Sequence, residues 1–454
     1  MRRGDSLCLL ALALAAAGCE ERSISIGGPD TVVSLDARLR AALGNWGAVP
    51  IGAVPPQSAA QVALGRALFF DPVLSGNRDI ACATCHHPST SFADGLSLAI
   101  GTGGTGLGPT RQLGASRPFV PRSAPTVINA GLGFYQLFWD GRLTGFPQGG
   151  FIIEPNGVLP SVSHILAAQA LLPVLNRDEM RGLAGDTDRF GEPNELAAIA
   201  DGQNGAVWSA VMQRLMAIPQ YATLFTAAFP TTAPGQYTFM QAAQALGAFQ
   251  IAELTRTGSP FDRYLARDDA ALTTPEKRGA LLFFGRAQCS SCHSGPLLGG
   301  NNIANVGVPQ LGPGVGAAAP LDLGRGGVFP DQPFYEFAFR VPALRNVELT
   351  APYFHDGAYP TLEAVVRHYN DVPASLQNFD VTQVAPALRT MHHGDAATID
   401  RMMRTLDFRL RAPLNLTDQD QADLAAFLRS LTDPAARDLN ALRPATVPSG
   451  LPVP

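Results

Sequence analysis

Charge is sparse in this sequence and neither sign dominates. Asp, Glu, Lys and Arg make up 16% of 454 residues, and the net charge is −5. With a pI near 5.9, the chain lacks the basic footprint of DNA and RNA binders, so nucleic acid is excluded as a partner. Long apolar runs are also missing. Past the N-terminal segment no stretch reaches transmembrane length, so the mature chain is expected to be soluble or tethered at one end. Cysteine is scarce, with six in the chain. In contrast, 46 Gly and 37 Pro predict ordered turns and long loops. At this length a single core usually splits, so two domains are expected, and 46% hydrophobic residues suffice for each to bury its own core.

The N-terminus reads "MRRGDSLCLLALALAAAGCEE", with two arginines, an apolar run from Leu7 to Ala17, and small residues ending at Gly18-Cys19. The run is too short to span a bilayer and fits a secretory signal. Because the small residues lead into Cys19, residues 1–19 resemble a bacterial lipoprotein signal, in which that cysteine becomes the lipidated first residue. Ala16 stands where leucine is usual, and Asp5 is unusual in a basic leader. The alternative is ordinary cleavage with Cys19 incidental. Both readings place the mature chain in the periplasm, the first with a lipid anchor to the outer membrane.

Cys8 and Cys19 belong to that segment, which leaves Cys82, Cys85, Cys289 and Cys292. A secreted protein could pair these as disulfides. Each pair, however, is followed at once by a histidine, His86 and His293, which a disulfide does not require. In C-x-x-C-H both thiols form thioethers to one edge of a haem, and the adjacent imidazole reaches under the iron as proximal ligand. A redox-active thiol pair would not call for the histidine twice, and a zinc site would want a different second half. Two covalent c-type haems are therefore expected, and that attachment occurs outside the bacterial cytoplasm, in keeping with the signal.

The flanks repeat as well. "SAAQVALGRALFFDPVLSGNRDIACATCHHP" and "TTPEKRGALLFFGRAQCSSCHSGP" share a capped helix start, a Gly, "ALFF" or "LLFF", a short loop and the haem motif. Ser58 with Gln61 reads as a capping box, and Thr274 as an N-cap before Pro275. Phe69, Phe70, Phe283 and Phe284 are expected to wall the macrocycles. Duplication explains the pattern: two cytochrome c-like units in a mainly α fold. After a linker over 20–55, the units run over 56–258 and 259–433, and 434–454 is expected to be loosely ordered.

"LGRALFFDPVLS", "FWDGR", "FRVPALRNVELTAPYFHDG" and "TLEAVVRHY" resemble the bacterial di-haem cytochrome c peroxidase family and its MauG branch, from about residue 56 to 433. The resemblance implies paired cytochrome c domains, hydrogen peroxide as oxidant, and a tryptophan between the haems, here Trp139. Residues alone would also allow Trp139 to be a buried aromatic beside a turn. The branches differ in the sixth ligand of each iron. Classical peroxidases place a distal histidine in the loop that here reads "LGASRPFVPRSAPTVIN", which has none. His87 is too near the proximal side and reads as a solvated neighbour. The first iron is thus expected to be open to peroxide.

Peroxide cleavage wants a carboxylate to move a proton between the two oxygens. "AQALLPVLNRDEM" supplies Gln169, Pro173 and Glu179, at spacings similar to the distal group of the MauG branch. Glu179 is assigned as acid/base and Gln169 as its hydrogen-bonding assistant; otherwise they are a solvated carboxylate and a helix-surface amide. "GGFIIEPNGVLPS" looks like an insertion relative to the family.

In "PTLEAVVRHYND", Leu362, Val365, Val366 and Tyr369 share one helical stripe. Periodicity alone makes Tyr369 a core residue; the resemblance makes this position the sixth ligand of the second haem, methionine in classical peroxidases and tyrosine in the MauG branch. A thioether favours reduced iron and a phenolate oxidised iron. Met391, Met402, Met403, His392 and His393 are the competing ligands. Arg345 and His355 match the second-domain core and are candidates for haem propionates or the domain seam. The family's bridging calcium would take backbone carbonyls of Thr350 and Pro352, with Ser123 where an asparagine is usual.

The expected function is a peroxidase that reduces hydrogen peroxide at the first haem, fed through the second by a small cytochrome c or cupredoxin. The alternatives are a MauG-like oxidase that modifies Trp or Tyr side chains of a partner protein, and a plain di-haem electron carrier.

Overall fold

The computed structural model describes residues 33–155, 157–300 and 302–454. The signal segment and Cys19 lie outside them. The fold is mainly helical with little strand, as expected. The helices that build the two sites are α1 (Leu35–Asn45), α2 (Ala59–Phe70), α3 (Ile165–Ala170), α4 (Phe239–Glu253), α5 (Thr274–Phe283), α6 (Leu362–Asn370) and α7 (Asp418–Arg429). Among the described residues no helix is long and apolar enough to cross a membrane.

The repeated sequence folds into a repeated helix crossing. In the first unit α2 lies across α4; in the second α5 lies across α7. Both crossings are close because a glycine stands at the contact. A Cβ on Gly65 would run into the Ala245 carbonyl oxygen and come within 2.9 Å of Phe249 Cβ. A Cβ on Gly279 would meet Asp423 and Phe427 in the same way, again at 2.9 Å from the phenylalanine Cβ. The neighbouring aromatics repeat too: Phe69 sits 5.2 Å from Phe249, and Phe283 5.2 Å from Phe427. Leu64, Leu68 and Phe70 of α2 are fully buried in the first core. Each such side chain contributes about 1.5–3 kcal/mol by leaving water.

The two caps differ from expectation. Ser58 makes no side-chain capping bond to α2, and Gln61 reaches the Ala228 carbonyl instead (3.5 Å). At α5 the N-cap is Thr273 rather than Thr274. Its N–H and hydroxyl both donate to Glu276, at 2.6 and 2.8 Å, because the glutamate three residues on fits only that register.

Both chain ends also depart from expectation. The expected linker, 20–55, contains α1, whose Leu39 and Leu43 are buried in the second core with Phe261, Phe283 and Phe427. The tail, 434–454, is ordered instead: it places Ala436, Leu439, Val447 and Leu451 in the first core. Arg66 Nε donates to the Leu442 carbonyl (2.8 Å), and the Ser449 hydroxyl donates to Asp71 (2.5 Å). Burial of these four apolar side chains orders the tail.

A small antiparallel sheet runs β1 (Gln136–Leu137), β2 (Leu143–Gly145), β3 (Phe151–Ile153) and β4 (Gly157–Val158). The segment that looked like an insertion supplies β3 and β4, with Leu143 opposite Ile153. Trp139 and Arg142 flank the turn from β1 to β2. In the second unit β5 (Ile303–Ala304) pairs with β6 (Phe339–Arg340). Arg340 N–H donates to the Trp139 carbonyl at 2.6 Å, which brings the two small sheets together.

Candidate active site

Each C-x-x-C-H motif opens onto its own cavity. Cys82, Cys85 and His86 line one of about 650 Å³; Cys289, Cys292 and His293 line a narrower one of about 180 Å³. The four thiols are free. His86 Nδ1 lies 3.2 Å from the Phe92 carbonyl oxygen, and His293 Nδ1 3.0 Å from that of Leu298. A carbonyl only accepts, so each Nδ1 carries the proton and each Nε2 keeps its lone pair for a metal. Burial lowers the pKa of both imidazoles, His293 to about 4. Two thiols beside a neutral, correctly protonated imidazole fit a covalently attached haem in each cavity.

Of the phenylalanine pairs, Phe69 and Phe283 line the cavities, whereas Phe70 and Phe284 do not and are buried in the cores. Successive helical residues point about 100° apart, so one of each pair reaches the cavity.

The wall of the first cavity includes Gln169, Pro173, Asn176 and Glu179. Gln169 belongs to α3, and its amide bonds to no other described residue. Glu179 lies in a single π-helical turn, Arg177–Arg181, capped by Asn176, whose Oδ1 accepts from the N–H groups of Asp178 (2.9 Å) and Glu179 (3.2 Å). Asn176 Nδ2 donates back to Glu179 Oε1 at 3.2 Å. Glu179 is half-buried and lines the cavity. Burial pushes its carboxyl up to about 7, against the pull of Arg142 and with a push from Asp178. Among the described residues no histidine except His86 lines this cavity. His87, expected to be solvated, is buried, with its ring Nδ1 2.7 Å from the Ser89 hydroxyl.

In the second cavity α6 presents Leu362, Val365, Val366 and Tyr369, the stripe that the sequence marked. The Tyr369 hydroxyl bonds to no other described residue, and burial raises its pKa. None of Met391, Met402, Met403, His392 and His393 lines this cavity. His355 does; it stacks on Phe339 at 3.6 Å.

Trp139 lines both cavities. Its indole Nε1–H donates to the Ser123 carbonyl at 3.0 Å. Next to it Asp140 is bonded by Arg122 (2.6 Å) and Arg142 (2.7 Å). Burial alone would raise the Asp140 carboxyl, but the two guanidiniums hold it at about 2.

Arg345 borders the first cavity, yet its charge is committed to Asp262 (2.6 Å) and the Pro296 carbonyl, so its main contacts are structural. Thr350, Pro352 and Ser123 also border the first cavity. The Ser123 hydroxyl donates to the Phe354 carbonyl at 3.2 Å. With no carboxylate among the three, the set offers only neutral oxygens, which bind calcium weakly.

Four wall residues escaped the sequence reading. Asn176 and Arg142 bear directly on Glu179. Asp94 is buried, with Oδ2 lacking any hydrogen-bond partner and its carboxyl raised to about 7 by burial. Arg340 lines both cavities. Arg142 and Arg340 lie inside the quoted motifs "FWDGR" and "FRVPALRN"; only their pairing state, invisible in sequence, sets them apart.

Comparison with known proteins agrees with these features. A family model described as di-haem cytochrome c peroxidase matches residues 59–270. The chain is similar to the methylamine utilization protein MauG of Methylorubrum extorquens, 31% identical over 402 residues that cover 88% of this chain and 86% of that one. It is similar to cytochrome c551 peroxidase of Pseudomonas aeruginosa, 34% identical over 302 residues, 66% and 69% of the two chains. Among solved structures, a MauG-like protein associated with microbial copper homeostasis superposes with a TM-score of 0.59 at 26% identity, covering 87% of this chain and 96% of that one. The chain belongs to the di-haem cytochrome c peroxidase and MauG family. It is an oxidoreductase of the cytochrome c peroxidase type, in a family that implies two haems.

Proposed function

We propose that this protein reduces hydrogen peroxide in the first cavity, with electrons arriving through the second. The observation that carries this reading is Glu179, a carboxyl raised to about 7 in the wall of the cavity that holds Cys82, Cys85 and His86. When bound there through those residues, haem supplies the iron at which the O–O bond is cleaved. Glu179 takes the proton from the near oxygen and returns it to the far one, so that water departs. Gln169 orients the peroxide with its free amide. Two electrons and two protons convert hydrogen peroxide to two waters, and Trp139 relays the electrons singly between the cavities. Its N–H is held by a carbonyl, which is no base, so it gives up an electron with its proton in place. Cys289, Cys292, His293 and Tyr369 would hold the second haem. The donor is a small cytochrome c or cupredoxin in the periplasm, where c-type haem is attached.

A second reading rests on Tyr369, which lines the second cavity where, among the described residues, no methionine does. A phenolate at that place favours oxidised iron, which suits a MauG-like oxidation of Trp or Tyr side chains on a partner protein. Mixing the holoprotein with peroxide and reduced cytochrome c tests the first reading. Steady oxidation of the cytochrome supports it. Absence of turnover, with new oxygenated or cross-linked aromatics in a protein partner by mass spectrometry, would replace it with the second.

A further inference from the structure

Arg340 differs from every other arginine bordering the cavities. Arg122 is paired with Asp140 and Asp322, Arg142 with Asp140, Arg345 with Asp262, and Arg409 with Asp407. Arg340 lines both cavities, and among the described residues no carboxylate forms an ion pair with it. Its Nε donates to the Phe138 carbonyl at 3.1 Å, and its guanidinium carbon lies 5.6 Å from the centre of the Phe134 ring. Among the described residues neither Nη group has a protein acceptor, and the side chain borders open cavity rather than packed core. Burial pulls the guanidinium down to about 10, with the Asp140 charge pulling the other way, so it stays cationic at neutral pH. Asp140 acts on it only at a distance and is bonded by other arginines, so the Arg340 fork is free to take an anion. The planar guanidinium fork matches a carboxylate.

We propose that Arg340 is the anion anchor at the junction of the two cavities: its guanidinium binds the carboxylate of a haem propionate and ties it to Trp139. The tie is made twice, since Arg340 N–H donates to the Trp139 carbonyl at 2.6 Å while Nε holds the preceding residue's carbonyl. Arg345, which the resemblance put forward for this duty, is already neutralised by Asp262. Arg340 therefore acts on both potential and geometry, setting the charge felt by a haem and the placement of the indole between the sites. The inference needs bound haem but goes beyond the peroxidase reading, because it holds whichever donor or substrate the electrons serve.

The test uses the holoprotein without peroxide, so failure of the peroxidase reading leaves it intact. Midpoint potentials of both haems are measured by spectroelectrochemistry in the parent, Arg340→Met and Arg340→Lys, with and without chloride. Loss of the positive charge favours oxidised iron, so Arg340→Met lowers the potential of at least one haem, and Arg340→Lys returns it toward the parent value. The haem that moves identifies whose propionate is bound. Arg340→Gln serves the same comparison should the methionine variant fail to fold. Parent-like potentials in a folded variant that carries both haems would overturn the proposal. So would a parent potential that shifts when chloride is withdrawn, since the occupant would then be a free anion.

Discussion

Glu179 is cradled by Asn176 and faced by Arg142 and Asp178, and burial lifts its carboxyl from 4.5 to about 7. To accept the first proton it must begin ionised, so kcat/KM for peroxide should rise with pH through about 7 and level off above. Glu179→Gln should lower kcat/KM by about 10²–10³-fold and flatten that profile; an unchanged pH profile would move the acid–base duty elsewhere. The same shift affects stability. The carboxyl is neutral in both states below 4.5, and its burial becomes a penalty as pH rises to about 7. The glutamine variant should therefore gain thermal stability over the parent at pH 8 and not at pH 4. At the second cavity, Tyr369→Met should raise the potential of the second haem, because a thioether favours reduced iron. A potential that stays in place would remove Tyr369 from coordination. Histidine and cysteine identities were readable directly, because C-x-x-C-H spacing is itself the chemistry. Arg340 was not, because pairing with a carboxylate depends on residues far away in sequence.

At the level of elements, the helix crossings rest on Gly65 and Gly279. Backbone stands where a Cβ would go, so neither neighbour yields as a flexible side chain would. Gly65→Ala should cost about 1–3 kcal/mol or more, seen as a lower thermal midpoint of the first unit, and Gly279→Ala should do the same to the second. A neutral result at either position would mean the crossing is looser than described. The repeated "ALFF" and "LLFF" helices were readable because local propensity, apolar pattern and motif agree. The facing of Phe70 and Phe284 is not legible in the sequence: both lie beside a cavity-lining phenylalanine, but helical rotation carries them away from the cavity into the core. The Asn176 turn that aims Glu179 leaves no periodic signature at all.

Across the whole molecule each core is completed by the opposite end of the chain. α1 precedes the first unit and serves the second core; the tail follows the second unit and serves the first. Truncation after Asp433 would expose the partners of Ala436, Leu439, Val447 and Leu451 and should destabilise the first core by several kcal/mol, while the second keeps its own contacts. Thermal unfolding followed at each haem would resolve this; an unchanged first-haem transition would make the tail a passive extension. The sequence alone determined the two C-x-x-C-H motifs, the helical duplication and the α6 stripe ending at Tyr369, because each depends on residues a few positions apart. Only the tertiary structure decided that Trp139 borders both cavities, that Arg345 is neutralised while Arg340 is not, and that the two ends exchange cores. Those outcomes depend on contacts between distant segments, where burial and charge pairing are settled by what the rest of the fold places nearby.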